Sequence, residues 1–127
     1  MTNKIHMGLA LLGLAAAQPA LAQNGAQNGA HGKALFAQCR ACHTDVKGAR
    51  STVGPNLSGV VGRKAGSLAG FAYSPAMKAA GIVWTPARIA AYLAAPARAV
   101  PGNRMGYAGM ASPGDRADLV AYLESLR

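Results

Sequence analysis

Acidic residues are the first shortage: four Asp and Glu stand against thirteen Lys and Arg in 127 residues, for a formal charge of +9. An excess of that size points to acidic partners or surfaces. The sequence has only two cysteines, too few for a disulfide framework. Aromatic residues make up 6%, and the apolar content leans on Ala and Gly, so a core built from protein alone would be modest. No apolar run reaches the length of a membrane-spanning helix. Alternation is absent and β-branched residues are sparse, which removes any strand pattern. The length suits one domain, with or without a processed segment, and tells against a TIM barrel or a dinucleotide-binding domain. Apolar residues nevertheless make up 51%, too many for a disordered chain.

Residues 1–22 have the build of a secretory signal peptide. Lys4 supplies a positive start, Met7 to Ala17 an apolar run, Pro19 a break, and Ala20-Leu21-Ala22 a small-x-small cleavage pattern. Cleavage is expected before Gln23, with export to the periplasm. No twin-Arg pair is present, so the general export route is expected. Loss of Lys4 lowers the charge from +9 to +8, and no stable membrane insertion is expected afterwards. Residues 23–30 repeat Gln-Asn-Gly-Ala and read as a flexible leader. The folded domain is expected over 31–127.

Within that domain the pattern is all-α: three main helices joined by long Gly/Pro loops. Lys33 to Cys42 has helix-forming composition, with Leu35, Phe36 and Cys39 on one face. Thr44 to Gly70 is punctuated by glycines and reads as loop. A loop this long is unusual unless it wraps something other than protein. A short helix is expected near Pro75 to Ala80. Thr85-Pro86 reads as an N-cap with Pro at the first helical position, for a helix to about Ala94 that stops before Pro96. Ser112-Pro113-Gly114-Asp115 reads as a capping box. It opens a last helix with Leu119, Val120, Leu123 and Leu126 at helical spacing.

The chemistry is concentrated in Cys39-Arg40-Ala41-Cys42-His43. Residues three apart on a helix share a face, so two thiols so placed can form thioethers along one edge of a haem. The adjacent His43 can then reach the iron, as in a c-type haem attachment site. A thioredoxin-like pair would need a βαβ context, and a zinc site would need further ligands. A local disulfide is a third reading of the same spacing. A second axial ligand is expected to be methionine, which raises the potential relative to a bis-histidine site. The candidates are Met77, Met105 and Met110. Met105 stands out on the loop Pro101-Gly102-Asn103-Arg104-Met105-Gly106, with Met110 in reserve.

Taken together, residues 31–126 resemble a class I c-type cytochrome of the mitochondrial and bacterial c2 type. The resemblance is carried by Gly32, Phe36, the C-x-x-C-H, Gly54-Pro55-Asn56-Leu57-x-Gly59, Gly62-Arg63-Lys64, Phe71-x-Tyr73-Ser74, Gly81-Ile82-x-Trp84, Tyr92-Leu93, Pro101-Gly102-x-x-Met105 and Ala117-Asp118-Leu119-x-Ala121-Tyr122-Leu123. It implies one covalent haem c with His43 and Met105 as iron ligands. It implies that the Pro55 carbonyl accepts the His43 N–H, and that Tyr92 lies near the ligating sulfur. Arg63, Tyr73 and Trp84 would surround the haem carboxylates. Gly32 and Phe36 would meet Leu119 and Tyr122 where the first and last helices cross. Three positions depart from the resemblance: Met77 replaces an asparagine, Asn103 a threonine that helps hold a haem carboxylate, and Tyr107 a phenylalanine at the haem edge.

The expected function is a monomeric, soluble, periplasmic carrier of single electrons between respiratory or photosynthetic complexes, and not an enzyme. Its basic surface, with Arg40, Arg98 and Arg104 near the haem edge, would steer it to acidic docking faces. Partner classes are a quinol–cytochrome c reductase, a terminal oxidase, a reaction centre or a dedicated periplasmic dehydrogenase. A haem enzyme or gas binder would need an open iron position. A nucleic-acid partner is excluded by export and by the lack of a basic helix with interleaved aromatics.

Overall fold

A computed structural model of the chain describes residues 28–127. The expected signal segment and the leader up to residue 27 lie outside it. The described residues form five α-helices: α1 Gly29–Leu35, α2 Pro75–Ala79, α3 Pro86–Ala94, α4 Pro96–Ala99 and α5 Pro113–Ser125. The only bridge of strand type among them pairs Lys64 with Val83. Here the Trp84 N–H reaches the Arg63 carbonyl at 2.9 Å and the Ala65 N–H reaches that of Ile82 at 2.7 Å.

Helix starts are written in the local sequence. Ser74, Thr85 and Ser112 each precede a proline, which pushes them into extended backbone. Each then accepts a side-chain hydrogen bond from an N–H three residues on, in Met77, Arg88 and Asp115. The Thr85 and Ser112 caps are as expected from sequence, whereas the Ser74 cap was not foreseen. Two helix boundaries differ. The first helix starts at Gly29, so Gly29 and Ala30 form its first turn instead of ending the leader. Its α-helical part stops at Leu35 and tightens to a 3₁₀ turn over Phe36–Gln38. The His43 N–H still bonds the Cys39 carbonyl at 2.9 Å, so the two cysteines keep helical spacing. Pro96 ends α3 as expected but also starts α4, because its fixed φ and missing N–H suit a first helical turn.

The core lies where α1 and α5 cross, with α3 against α5. Phe36 is 0% and Leu119 1% exposed. Val60, Ile89, Met110, Val120, Tyr122 and Leu123 complete the cluster. The Phe36 and Tyr122 rings lie 5.5 Å apart, tilted at 57°, an arrangement that favours ring edges over faces. Gly32 permits the close crossing: a Cβ there would overlap the Asp118 backbone carbonyl and meet Tyr122 Cβ at 2.9 Å. At the same crossing the His31 ring shares a 2.7 Å contact with the Asp118 carboxylate. That hydrogen bond raises the His31 pKa, against a lowering by partial desolvation, and the Asp118 and Asp115 charges add to the rise.

Two outcomes follow from the crossing. Gly32→Ala is expected to destabilise the protein by about 2–3 kcal/mol through overpacking, measured by denaturant unfolding. For His31, the folded pKa lies above the unfolded one, so the pair stabilises fully below about pH 6.5. Its contribution is lost as pH rises through the folded value. Thermal unfolding against pH is expected to show this decline in the native chain and a flatter profile in His31→Gln.

Candidate functional site

One large cleft opens beside this core, with a volume of about 690 Å³. Phe36, Leu57, Val60, Ile89, Leu93, Leu119 and Leu123 are among its apolar walls. It brings together Cys39, Cys42, His43, Pro55, Arg63, Tyr73, Trp84, Tyr92 and Met105, the nine residues singled out from sequence. Met77 also lines it. Met110 does not: it is 7% exposed and packed into the helix core, so the reserve ligand candidate drops out.

The histidine side is built from the backbone outward. The loop after the C-x-x-C-H folds back on it, with the Gly54 N–H on the Cys42 carbonyl at 2.7 Å and the Leu57 N–H on that of Thr44 at 2.9 Å. The Thr52 hydroxyl donates to the same Cys42 carbonyl at 2.6 Å. These bonds flank His43 and bring the Pro55 carbonyl to its Nδ1 at 2.7 Å. With the Nδ1 proton donated there, the neutral ring keeps its lone pair on Nε2, the form needed to bind a metal. Burial lowers the His43 pKa, and the Pro55 bond partly offsets this. A side chain at Gly54 would run into the imidazole, so glycine is required at that position.

Asn56 locks the same loop, a role the sequence did not reveal. It is 6% exposed. Its amide donates to the Val46 and Ala49 carbonyls, both at 2.8 Å, and its Oδ1 accepts the Ser58 N–H at 2.8 Å. Arg63 then donates to the Asn56 carbonyl at 2.8 Å and to that of Ser58 at 3.4 Å. Burial pulls the Arg63 pKa down, partly countered by Tyr73. Two of its five N–H groups are used in these bonds.

On the opposite side, the Tyr92 hydroxyl points its hydrogen at the Met105 sulfur across 4.0 Å. Burial pushes the Tyr92 pKa up to about 12, so the phenol stays protonated. Trp84 and Tyr92 meet edge to face, centroids 5.1 Å apart. The loop bearing Met105 crosses to the first helical segment, where the Tyr107 hydroxyl donates to Gln38 Oε1 at 3.1 Å. Arg104 lines the cleft and is exposed. Arg40, expected at the rim, is instead held by Asp45 at 3.0 Å and lies over the Phe36 ring. Arg98 sits on α4, outside the lining.

This set of side chains fits a haem. Two thiols a helical turn apart suit thioether attachment, an imidazole with a free Nε2 and a thioether suit iron, and flat apolar walls suit a porphyrin. Cys39 and Cys42 are unpaired, and burial, with the nearby Cys42, raises the Cys39 pKa, the reverse of a redox-active thiol. Among the described residues no three His, Cys, Asp or Glu side chains converge as a metal cluster.

Comparison with known proteins agrees. The family model for cytochrome c matches residues 29–127. Cytochrome c2 of Rhodopila globiformis is 52% identical over 97 residues, covering 76% of this chain and 91% of that protein. Cytochrome c of Trypanosoma brucei brucei is 48% identical over 81 residues, covering 64% of this chain and 87% of the relative. Among solved structures, cytochrome cH from Methylobacterium extorquens superposes with a TM-score of 0.73 at 40% identity, covering 77% of this chain and 98% of the other. The chain belongs to the cytochrome c family and carries one covalently attached haem c with iron.

Proposed function

We propose that this protein is a periplasmic carrier of single electrons, with its haem in the cleft ligated by His43 and Met105, and that it is not an enzyme. The observation that carries this reading is the placing of a Pro55-oriented imidazole and a Tyr92-facing thioether in the walls of one apolar cleft, beside both cysteines. When bound, the haem supplies a one-electron couple between ferrous and ferric iron. Cys39 and Cys42 anchor it, which suits an exported protein because the cofactor cannot be lost by dilution. Two protein ligands leave no position for a substrate, so the chain's role is to tune and present the couple.

Each neighbouring group has a share in that tuning. Pro55 makes the imidazole more electron-rich by accepting a hydrogen bond from its Nδ1–H. Tyr92 takes electron density from the sulfur through its hydroxyl hydrogen. Arg63 and Trp84 offer donors, and Tyr73 a hydroxyl, towards the haem carboxylates, where a cation offsets buried negative charge. Similar ligation in both oxidation states keeps reorganisation small.

Docking rests on charge. The basic side chains Lys47, Arg50, Lys64, Lys78, Arg88, Arg98 and Arg104 are exposed, and such a surface steers encounter with acidic faces of redox proteins. The proposed partner classes are a quinol–cytochrome c reductase as donor and a terminal oxidase or photosynthetic reaction centre as acceptor. Among the described residues no helix is long and apolar enough to cross a membrane.

Replacing Met105 with Ala is expected to lower the reduction potential and let carbon monoxide bind the ferrous iron. An unchanged potential in a redox titration would overturn the ligand assignment. Electron transfer to an acidic partner is expected to slow as salt rises, because the Debye length shrinks from about 30 Å at 0.01 M to about 8 Å at 0.15 M. Stopped-flow rates that stay flat over that range would count against steering.

A further inference from the structure

The backbone that presents Met105 is held by one side chain. The Asn103 carboxamide donates to the Pro96 carbonyl at 2.9 Å and the Val100 carbonyl at 2.8 Å, and its Oδ1 accepts the Met105 N–H at 2.8 Å. Pro96 is the first residue of α4 and Val100 is the residue that ends it. The Asn103 N–H adds a 3.0 Å bond to the same Val100 carbonyl. One planar amide therefore ties the end of α4 to the residue whose sulfur lines the cleft. Only a carboxamide offers two donors and an acceptor in that arrangement. A threonine hydroxyl has a single hydrogen to donate.

We infer that Asn103 is a positioning residue for the Met105 thioether, setting how readily that sulfur leaves the iron. The inference rests on Met105 being the sulfur ligand. Both amide hydrogens are used on backbone carbonyls, so Asn103 has no donor left for a haem carboxylate, the role implied for the threonine it replaces. Its influence passes through the Met105 backbone instead. On this inference, withdrawal of the sulfur carries the Met105 backbone away from α4. In such a movement either the Met105 N–H parts from Oδ1 or the amide parts from the Pro96 and Val100 carbonyls. Beyond Met105 the loop is tied by the Tyr107 hydroxyl to Gln38, an exposed bond where water competes for both partners. Further on it is tied by the Met110 N–H to the Leu93 carbonyl at 2.8 Å and by Arg116 to the Met110 and Ala111 carbonyls.

The test uses ferric holoprotein and imidazole as a competing ligand, followed by the iron–sulfur absorption band, with thermal unfolding on the same samples. A ligand that binds only the open form has an apparent affinity set by the population of that form. Asn103→Leu removes all three side-chain bonds at similar size. It is expected to tighten apparent imidazole affinity about tenfold, equal to ~1.4 kcal/mol and to one lost hydrogen bond. Asn103→Asp keeps the acceptor for the Met105 N–H and loses the donors, so a smaller gain is expected. Tyr122→Phe removes a hydrogen bond to Asp45 far from the loop and is expected to bind imidazole as the native protein does.

Native imidazole affinity in Asn103→Leu, with only a lowered unfolding temperature, would overturn the inference. So would an equal gain in Tyr122→Phe. If Asn103→Leu does not mature to holoprotein, Asn103→Asp decides by the same criterion. The ligand assignment is checked separately: an iron–sulfur band that persists in Met105→Ala removes that assignment and this inference with it, whatever the Asn103 variants do.

Discussion

The close crossing of α1 and α5 at Gly32 is the contact on which the remaining geometry depends. It sets the backbone of the first helix against the Asp118 carbonyl and seats Phe36 on Tyr122. Leu119 and Leu123 then look two ways, into the helix core and onto the wall of the cleft. The C-x-x-C-H follows Phe36 within the same helical run, so the crossing also aims the attachment site. With α3 packed on α5, Tyr92 and Leu93 complete the opposite wall. A side chain in place of that one hydrogen would separate the two walls, and interiors do not deform smoothly to absorb such a change.

Most of the cleft is nevertheless lined by loops, and irregular backbone must find partners for its polar groups. Two asparagines meet much of that demand. Asn56 stands beside Pro55 and fastens the loop that orients His43. Asn103 stands two residues before Met105 and fastens the loop on the other side. Each uses two amide donors and one carbonyl acceptor on backbone. Among the described residues no buried side-chain polar atom lacks a partner. Long loops can therefore hold reactive groups with a steadiness more often found in regular elements.

The charge balance has the same economy. Of the four acidic residues, Asp45 takes Arg40 and the Tyr122 hydroxyl, and the Tyr122 bond lowers its pKa. Asp118 takes His31. Asp115 stands in the first turn of α5, where the helix dipole favours a negative charge. The three aspartates thus serve the α1–α5 region. Among the described residues, most of the bases are left without acidic partners, and the long-range field that bears on docking arises from that imbalance.

The sequence by itself determined the helix starts at Thr85 and Ser112, the attachment motif and the membership of the cleft. Capping and C-x-x-C-H are local chemistry, and the remaining site residues were carried by a family resemblance. Only the tertiary structure set Met105 and Met77 in the wall of the cleft and Met110 in the helix core. Met105 and Met110 are five positions apart and alike in type, and burial of one against Leu119 and its neighbours is a property of packing. It also decided the tasks of Asn56 and Asn103, because an asparagine in a loop can bond many carbonyls and chain geometry chooses which. The turning of Arg40 towards Asp45 and the second helical turn at Pro96 were hidden for a related reason: each depends on what another segment places nearby, and local spacing does not encode that.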